Sequence, residues 1–351
     1  MARTHRDYVL KGGVGDAVEI LDDDIETRVE EEWYSCTVER KRLKSLMARR
    51  DTPGLRHFGL WAVLLIASGV TAYWAWPSPW CIPAFLAYGV FYSMSDHHAH
   101  ELEHGTPFRT RWINEALYHL SGFMTLHEGY YWRWSHSRHH TETLVVGRDP
   151  EIAFPRPLDI SAALLDFLFI KSGFQQLTNI VSHAFGRLNH SGTEFIPESE
   201  RKKVVRSSRC FVAIFVAVIA ACVATASVLP ALFVVLPRFY GGFMAQTFNM
   251  TQHAGLAENV RDHRINSRTV LLNPLSAFLY MNMNYHIEHH MFPMVPFHAL
   301  PRLHALIRSQ CPPPYDGLVD AYREIVPALI RQSHDPTHYV ERRLPAQPVA
   351  A

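Results

Sequence analysis

The sequence predicts an all-α integral membrane protein: four membrane-crossing helices with a cytosolic helical cap that carries clustered histidines. Three observations lead there. Two long stretches, 58–95 and 210–237, contain no Asp, Glu, Lys or Arg, and a bilayer core takes roughly 20 apolar residues per helix. The segment before them is densely charged. The chain also holds 22 histidines, many of them gathered in short clusters beside the ends of the apolar stretches. Of its 351 residues 48% are hydrophobic, unevenly spread, whereas a surface helix of a soluble domain breaks such a run with polar positions at helical spacing.

Residues 1–56 form a charged segment ending in Arg40-Lys41-Arg42, Lys44 and Arg49-Arg50. Basic residues next to a first span favour the cytosolic side. No cleavable signal peptide is expected, because the first apolar run begins late. Span one covers about 58–76. Pro77-Ser78-Pro79 turns the chain without a basic residue, and span two covers about 79–96, so the chain returns inside at Asp96. Residues 97–208 are polar. Within them 158–170 is apolar but short and carries Asp159 and Asp166, the pattern of an interfacial helix. Spans three and four occupy about 209–229 and 231–252, near Pro230 and Pro237, with Arg238 expected to snorkel or to lie near the outer turn.

With four spans, everything from His253 onward is cytosolic. A membrane domain then covers 57–310 and a cytosolic tail 311–351, in which Cys311-Pro312-Pro313-Pro314 turns into a last amphipathic segment and LPAQPVAA is expected to be disordered. The location is multi-pass, in a bacterial inner membrane or the endoplasmic reticulum. Five scattered cysteines form no C-x-x-C pair, so reduced thiols are expected. A net charge of +1 points to no partner, and no nucleic acid is expected.

HELEHG, residues 100–105, admits two readings. As H-E-x-x-H it is the zinc-protease pattern, in which Glu101 is the base. As H-x-x-x-H it is a ligand pair, His100 and His104, and the glutamate is incidental. Two further clusters weigh on the choice: HSRHH, with His136, His139 and His140, and HIEHH, with His286, His289 and His290. Positions i, i+3 and i+4 share one helix face, so each triplet can aim its imidazoles at one point. A catalytic zinc takes three protein ligands and an open position, which leaves both triplets unexplained. Eight clustered histidines suit two irons better, since imidazole binds iron and open positions admit oxygen. His97, His98, His119, His127 and His183 fit no cluster and are expected to be structural.

These motifs resemble the membrane fatty acid desaturase and hydroxylase superfamily, whose three histidine boxes are matched in order by His100-His104, His136-His139-His140 and His286-His289-His290. The flanking words HGTPFRTRWINEAL, YYWRWSHSRHHTET and NYHIEHHMFP are similar too, over roughly 57–310. The resemblance implies two Fe2+ ions held by these eight histidines and one more. In stearoyl-type desaturases a further ligand ends the fourth span, four residues after an asparagine that contacts a metal through water. Asn249 and His253 match that spacing. Ligand imidazoles pass their other N–H to a carboxylate or carbonyl, and Glu101, Glu288, Asp149 and Asp262 are the candidates for that outer role.

The implied enzyme uses O2 and two external electrons to oxidise an unactivated C–H bond of a fatty-acyl or other lipid-like substrate, with desaturation the expected outcome. Hydroxylation and oxidative decarboxylation to a terminal alkene are alternatives at the same site. The sequence carries no cytochrome b5 module, flavin fingerprint or ferredoxin cysteines, so a separate donor is implied, either a ferredoxin or a cytochrome b5 with its reductase. Two other classes stay open: an intramembrane H-E-x-x-H zinc protease, and a metal or haem carrier without catalysis.

Overall fold

The fold is described by a computed structural model over residues 32–345. Residues 1–31 and 346–351 lie outside the described part, and with them most of the charged N-terminal segment and of LPAQPVAA. The described chain is mostly helical. Its one two-stranded sheet pairs Val270–Leu271 in parallel with Tyr315–Asp316. The described residues divide into two compact units. The first comprises 32–48, 137–163 and 248–345, the second 49–136 and 164–247.

In the second unit two helices, Asp51–Ala75 and Glu198–Ala224, are long and apolar enough to cross a membrane. Only 17% of the most apolar stretch of each is buried. A soluble protein buries a helix of this composition, whereas here Val63, Ile66, Val216, Ile219 and Val223 all point outward. Both helices begin before the apolar stretches do, because backbone hydrogen bonding carries a helix into its charged end. The first opens where Asp51 accepts hydrogen bonds from the Thr110 amide and hydroxyl, at 2.9 and 2.8 Å.

The stretches expected as spans two and four are each divided. The chain runs as Cys81–Ser93 and Ser95–Glu103 with an interruption at Met94, and as Leu229–Val234 and Pro237–His253. Proline cannot donate to the preceding turn, so Pro237 starts a helix more readily than it continues one. By length and composition, therefore, two helices pass as candidate spans among the described residues.

Two glycines let two of these helices touch backbone to backbone. A Cβ on Gly241 would stand 1.9 Å from the carbonyl carbon of Gly89, so helices Cys81–Ser93 and Pro237–His253 meet where neither has a side chain. Small residues at crossings serve this close approach in membrane bundles.

Arg238, expected to snorkel or to lie near the outer turn, is 4% exposed, ion-paired with Asp96 at 3.1 Å, and donates to the Ser93 carbonyl at 3.2 Å. Its guanidinium also lies over the Phe169 ring, 4.6 Å from the centroid. The residues around 96 and 238 are thus neighbours. A buried cation requires a partner, and Asp96 supplies it.

The first unit is built on the helix Gly317–Gln332, which buries Ala321, Ile325, Ala328 and Leu329 on one face. Of these, Ala321, Ile325 and Leu329 pack with Leu158, Ala254 and Val270. The buried guanidinium of Arg268 reaches Glu324 of this helix at 3.1 Å, fixing the segment between His253 and His286. The short helix Ile160–Phe167 has no buried residue, and Leu164 and Leu165 are exposed.

Candidate metal centre

Each histidine motif lies on helix, as its spacing predicts. His100 is in the helix Ser95–Glu103, which His104 caps. His136, His139 and His140 are in Gly129–Thr141, His253 ends Pro237–His253, and His286, His289 and His290 are in His286–Met291. The helix Gly129–Thr141 is started by Glu128, whose carboxylate accepts from the amides of Tyr130 and Tyr131 at 3.1 and 2.7 Å. Burial pushes the Glu128 carboxyl up to about 7.

The second unit brings three of the histidines together. The ring of His136 lies 4.2 Å from that of His100 and 5.3 Å from that of His104, centroid to centroid. Trp132, one turn earlier, stacks on His136 at 4.8 Å and on His127 at 4.8 Å. His127 Nδ1 lies 3.5 Å from Asp96. His127 thus buttresses the cluster indirectly, through the indole. Glu101 is fully buried and accepts from the Thr106 hydroxyl at 2.6 Å.

The first unit gathers the other six. The His140 ring is 4.3 Å from that of His290 and 5.0 Å from that of His289. Nε2 of His286 is 2.9 Å from Nε2 of His253 and 3.0 Å from Nε2 of His290. The ligand atoms of His139, His253 and His290 lie within 4.8 Å of one another, a group that can hold a metal ion.

The partners of these three rings dictate where their protons sit. His139 Nδ1 meets Asp149 Oδ2 at 2.9 Å, and a carboxylate accepts, so the proton is on Nδ1. His253 Nδ1 meets the Asn266 carbonyl at 2.8 Å, which also only accepts. His290 Nδ1 meets the Thr143 hydroxyl at 3.2 Å, whose own hydrogen goes to the His139 carbonyl at 2.7 Å, so the threonine oxygen accepts as well. Each neutral ring then carries its lone pair on Nε2. Two of those lone pairs face the same His286 Nε2, and one N–H there cannot serve both fully. A cation among them can. This is the arrangement in which metal-bound imidazoles occur, Nδ1–H to an acceptor and Nε2 to the metal.

Electrostatics agree. Burial, followed by neighbouring imidazoles, holds His253 and His290 well below the usual histidine range, so both are neutral and able to ligate. For His139, burial works to lower the basicity, but Asp149 outweighs it and the ring becomes a stronger base. A stronger base is a stronger ligand.

Of the four carboxylates expected in outer positions, Asp149 is hydrogen-bonded to His139. Two others are turned elsewhere. Glu288 accepts from Thr269 at 2.6 Å and pairs with His304 at 2.5 Å. Asp262 holds Arg264 at 2.6 Å and caps the short helix His263–Asn266. Asn249 sits one turn before His253, half-buried. Sequence reasoning missed Thr143, the Asn266 carbonyl, His263 and Trp33. His263 lies 5.0 Å from the His290 ring, is driven by burial down to about 3, and is covered by Trp33, stacked at 4.1 Å and 7°. No spacing rule points to residues that meet only in three dimensions. Of the histidines outside the clusters, His98 bonds His57 through Nε2 at 3.0 Å and His183 stacks on Tyr131 at 5.0 Å, both structural contacts.

A mostly helical chain with buried, neutral imidazoles set in this way is of a class able to hold a metal ion through histidine. The match is narrower than that: over residues 75–322 the chain fits the family described as fatty acid desaturase, and it belongs to that family. Comparison with individually curated proteins gave no match. Family membership makes the chain a lipid-modifying oxidoreductase, with a lipid substrate and O2.

Proposed function

We propose that this chain is an integral-membrane diiron oxidoreductase that desaturates a fatty-acyl or other lipid-like substrate, using O2 and two electrons from a separate ferredoxin or cytochrome b5 system. The observation that carries the reading is the set of Nε2 lone pairs fixed on His139, His253 and His290, in a chain of the desaturase family. We assign two Fe2+ ions to nine ligands: His100, His104, His136, His139, His140, His253, His286, His289 and His290. Asn249 and Glu101 are assigned outer positions beside them. Bound there, the iron pair supplies oxygen activation and removal of hydrogen from an unactivated C–H bond. The protein's own residues do the rest. Asp149, Asn266 and Thr143 orient three imidazoles before any metal arrives, so little rearrangement accompanies binding. The near-complete burial of His139, His286 and His289 keeps water from the donor atoms.

Two measurements test this. Purified protein should carry close to two irons per chain and, with a donor system and labelled O2, yield a product lacking two hydrogens and containing no label. Label in the product would transfer the assignment to hydroxylation, and loss of CO2 with a terminal alkene to decarboxylation. A single zinc with peptide hydrolysis would overturn the diiron reading altogether.

The proposal also places four crossings, at about 58–76, 79–96, 209–229 and 231–252, with all histidine clusters on the cytosolic side. The two exposed apolar helices support it. Reporter fusions at residue 50, near 190 and at the C-terminus should read cytosol, and one at Ser78 the opposite side. A reading of opposite sides for residues 50 and 190 would remove this topology.

A further inference from the structure

Cys36 and Cys311, separated by 275 positions, bring their sulfurs within 3.7 Å of each other inside the first unit, and each is 4% exposed. Their backbones are held in place from both sides. The Cys36 amide donates to Met291 Sδ at 3.0 Å. The neighbouring residues Thr37 and Gln310 exchange two hydrogen bonds, Thr37 N–H to Gln310 Oε1 at 2.8 Å and Gln310 Nε2–H to the Thr37 carbonyl at 2.9 Å. A cystine needs sulfurs about 2.05 Å apart, and this pair stands at 3.7 Å with the flanking residues bonded to each other.

The pair also shares its protons unequally. The two sulfurs share one hydrogen bond, in which either can donate; it holds Cys36 below the usual thiol range, assisted by the nearby Arg264 charge, while Cys311 is pushed up. The thiolate is the reactive form of cysteine, so one member is prepared as nucleophile and the other as the resolving thiol.

We propose that Cys36 and Cys311 form a disulfide site, oxidised by hydrogen peroxide, that fastens the segment 33–37 covalently to the first unit. The Cys36 sulfur attacks the peroxide, forming an S–O bond as the O–O bond breaks; the departing hydroxide takes the proton given up by Cys36 and leaves as the first water. The Cys311 sulfur then attacks Cys36, forming the S–S bond as the S–O bond breaks; the departing hydroxide takes the Cys311 proton as the second water. The dithiol loses two hydrogens and two electrons, and the peroxide receives them.

The fastened segment covers His263, which lies 5.0 Å from the His290 ring. Trp33 stacks on His263 and donates its indole N–H to the Thr141 carbonyl at 3.1 Å, and the Tyr34 amide donates to the Arg261 carbonyl at 2.9 Å. Reduced, this strap is held by these contacts and the Thr37–Gln310 pair. Oxidised, it is held by a covalent bond. Neither thiol is a proposed metal ligand, and the cross-link is read without iron or turnover.

The test treats the folded, full-length protein with hydrogen peroxide, quenches free thiols, and maps peptides without reduction. A linked peptide joining Cys36 to Cys311, reversed by dithiothreitol, is the expected result. In Cys311→Ala the second step is blocked, so Cys36 should be captured by dimedone as the sulfenic acid, while the wild-type protein is not. Overoxidation of Cys36 with no linked peptide, links involving Cys81, Cys210 or Cys222 instead, or a link that forms only after denaturation would each overturn the proposal.

Discussion

His290→Ala is expected to remove both iron retention and turnover. The His290 ring packs against those of His139, His140, His253 and His286, and its Nδ1 partner, Thr143, is bonded to the carbonyl of His139. Truncation deletes a donor atom and loosens the neighbours that depend on it, whereas loss of an outer orienting partner typically costs only about 10–100-fold in metal affinity or activity. Asp149→Asn should therefore weaken iron binding by about that factor without abolishing it. His183→Phe preserves the stack on Tyr131 and should retain a full complement of iron. Metal analysis of the three variants, alongside oxygen-dependent product formation, checks the ordering. Equal iron loss in His183→Phe and His290→Ala would mean that the ligand set is drawn wrongly.

Arg238→Met should destabilise the fold more than any nearby apolar substitution, by about 3–5 kcal/mol, because it strands a buried carboxylate. Asp96 and Arg238 are 8% and 4% exposed at the side chain, and Asp96 also faces His127 Nδ1. Replacing both partners, with Asp96→Asn and Arg238→Met together, should recover part of the loss, since no unpaired charge remains. Thermal unfolding of the single and double variants in one detergent measures this coupling. Strictly additive losses would show that the pair does not interact energetically. The effect should reach the histidines too. Asp96 lies in the first turn of the helix that carries His100, and Trp132 stacks on both His127 and His136, so the single variant should also bind iron less tightly.

Much of the site was legible because it is local. The spacings of His100-His104, His136-His139-His140 and His286-His289-His290 are helix spacings, and each motif does lie on or at the end of a helix. That Asn249 and His253 share a helix was legible for the same reason. The two uncharged stretches announced apolar helices, and the exposed faces of Asp51–Ala75 and Glu198–Ala224 follow directly from them. Helix ends were less accessible. An uncharged stretch has no internal marker for the interruption at Met94, and a charged end such as 198–209 does not stop a helix whose backbone bonds continue.

What the sequence determined by itself, then, was residue type at helical period: which side chains share a face, and which stretches prefer lipid to water. Only the tertiary structure decided who meets whom across long separations. It assigned Asp149 rather than Glu288 or Asp262 to a clustered histidine, gave Arg238 to Asp96, set Trp33 over His263, and brought Cys36 to Cys311. The physical reason is range. Helix periodicity is fixed by backbone geometry within a few residues, whereas a buried charge, lone pair or thiol takes whichever partner the packing of distant segments places within hydrogen-bond reach.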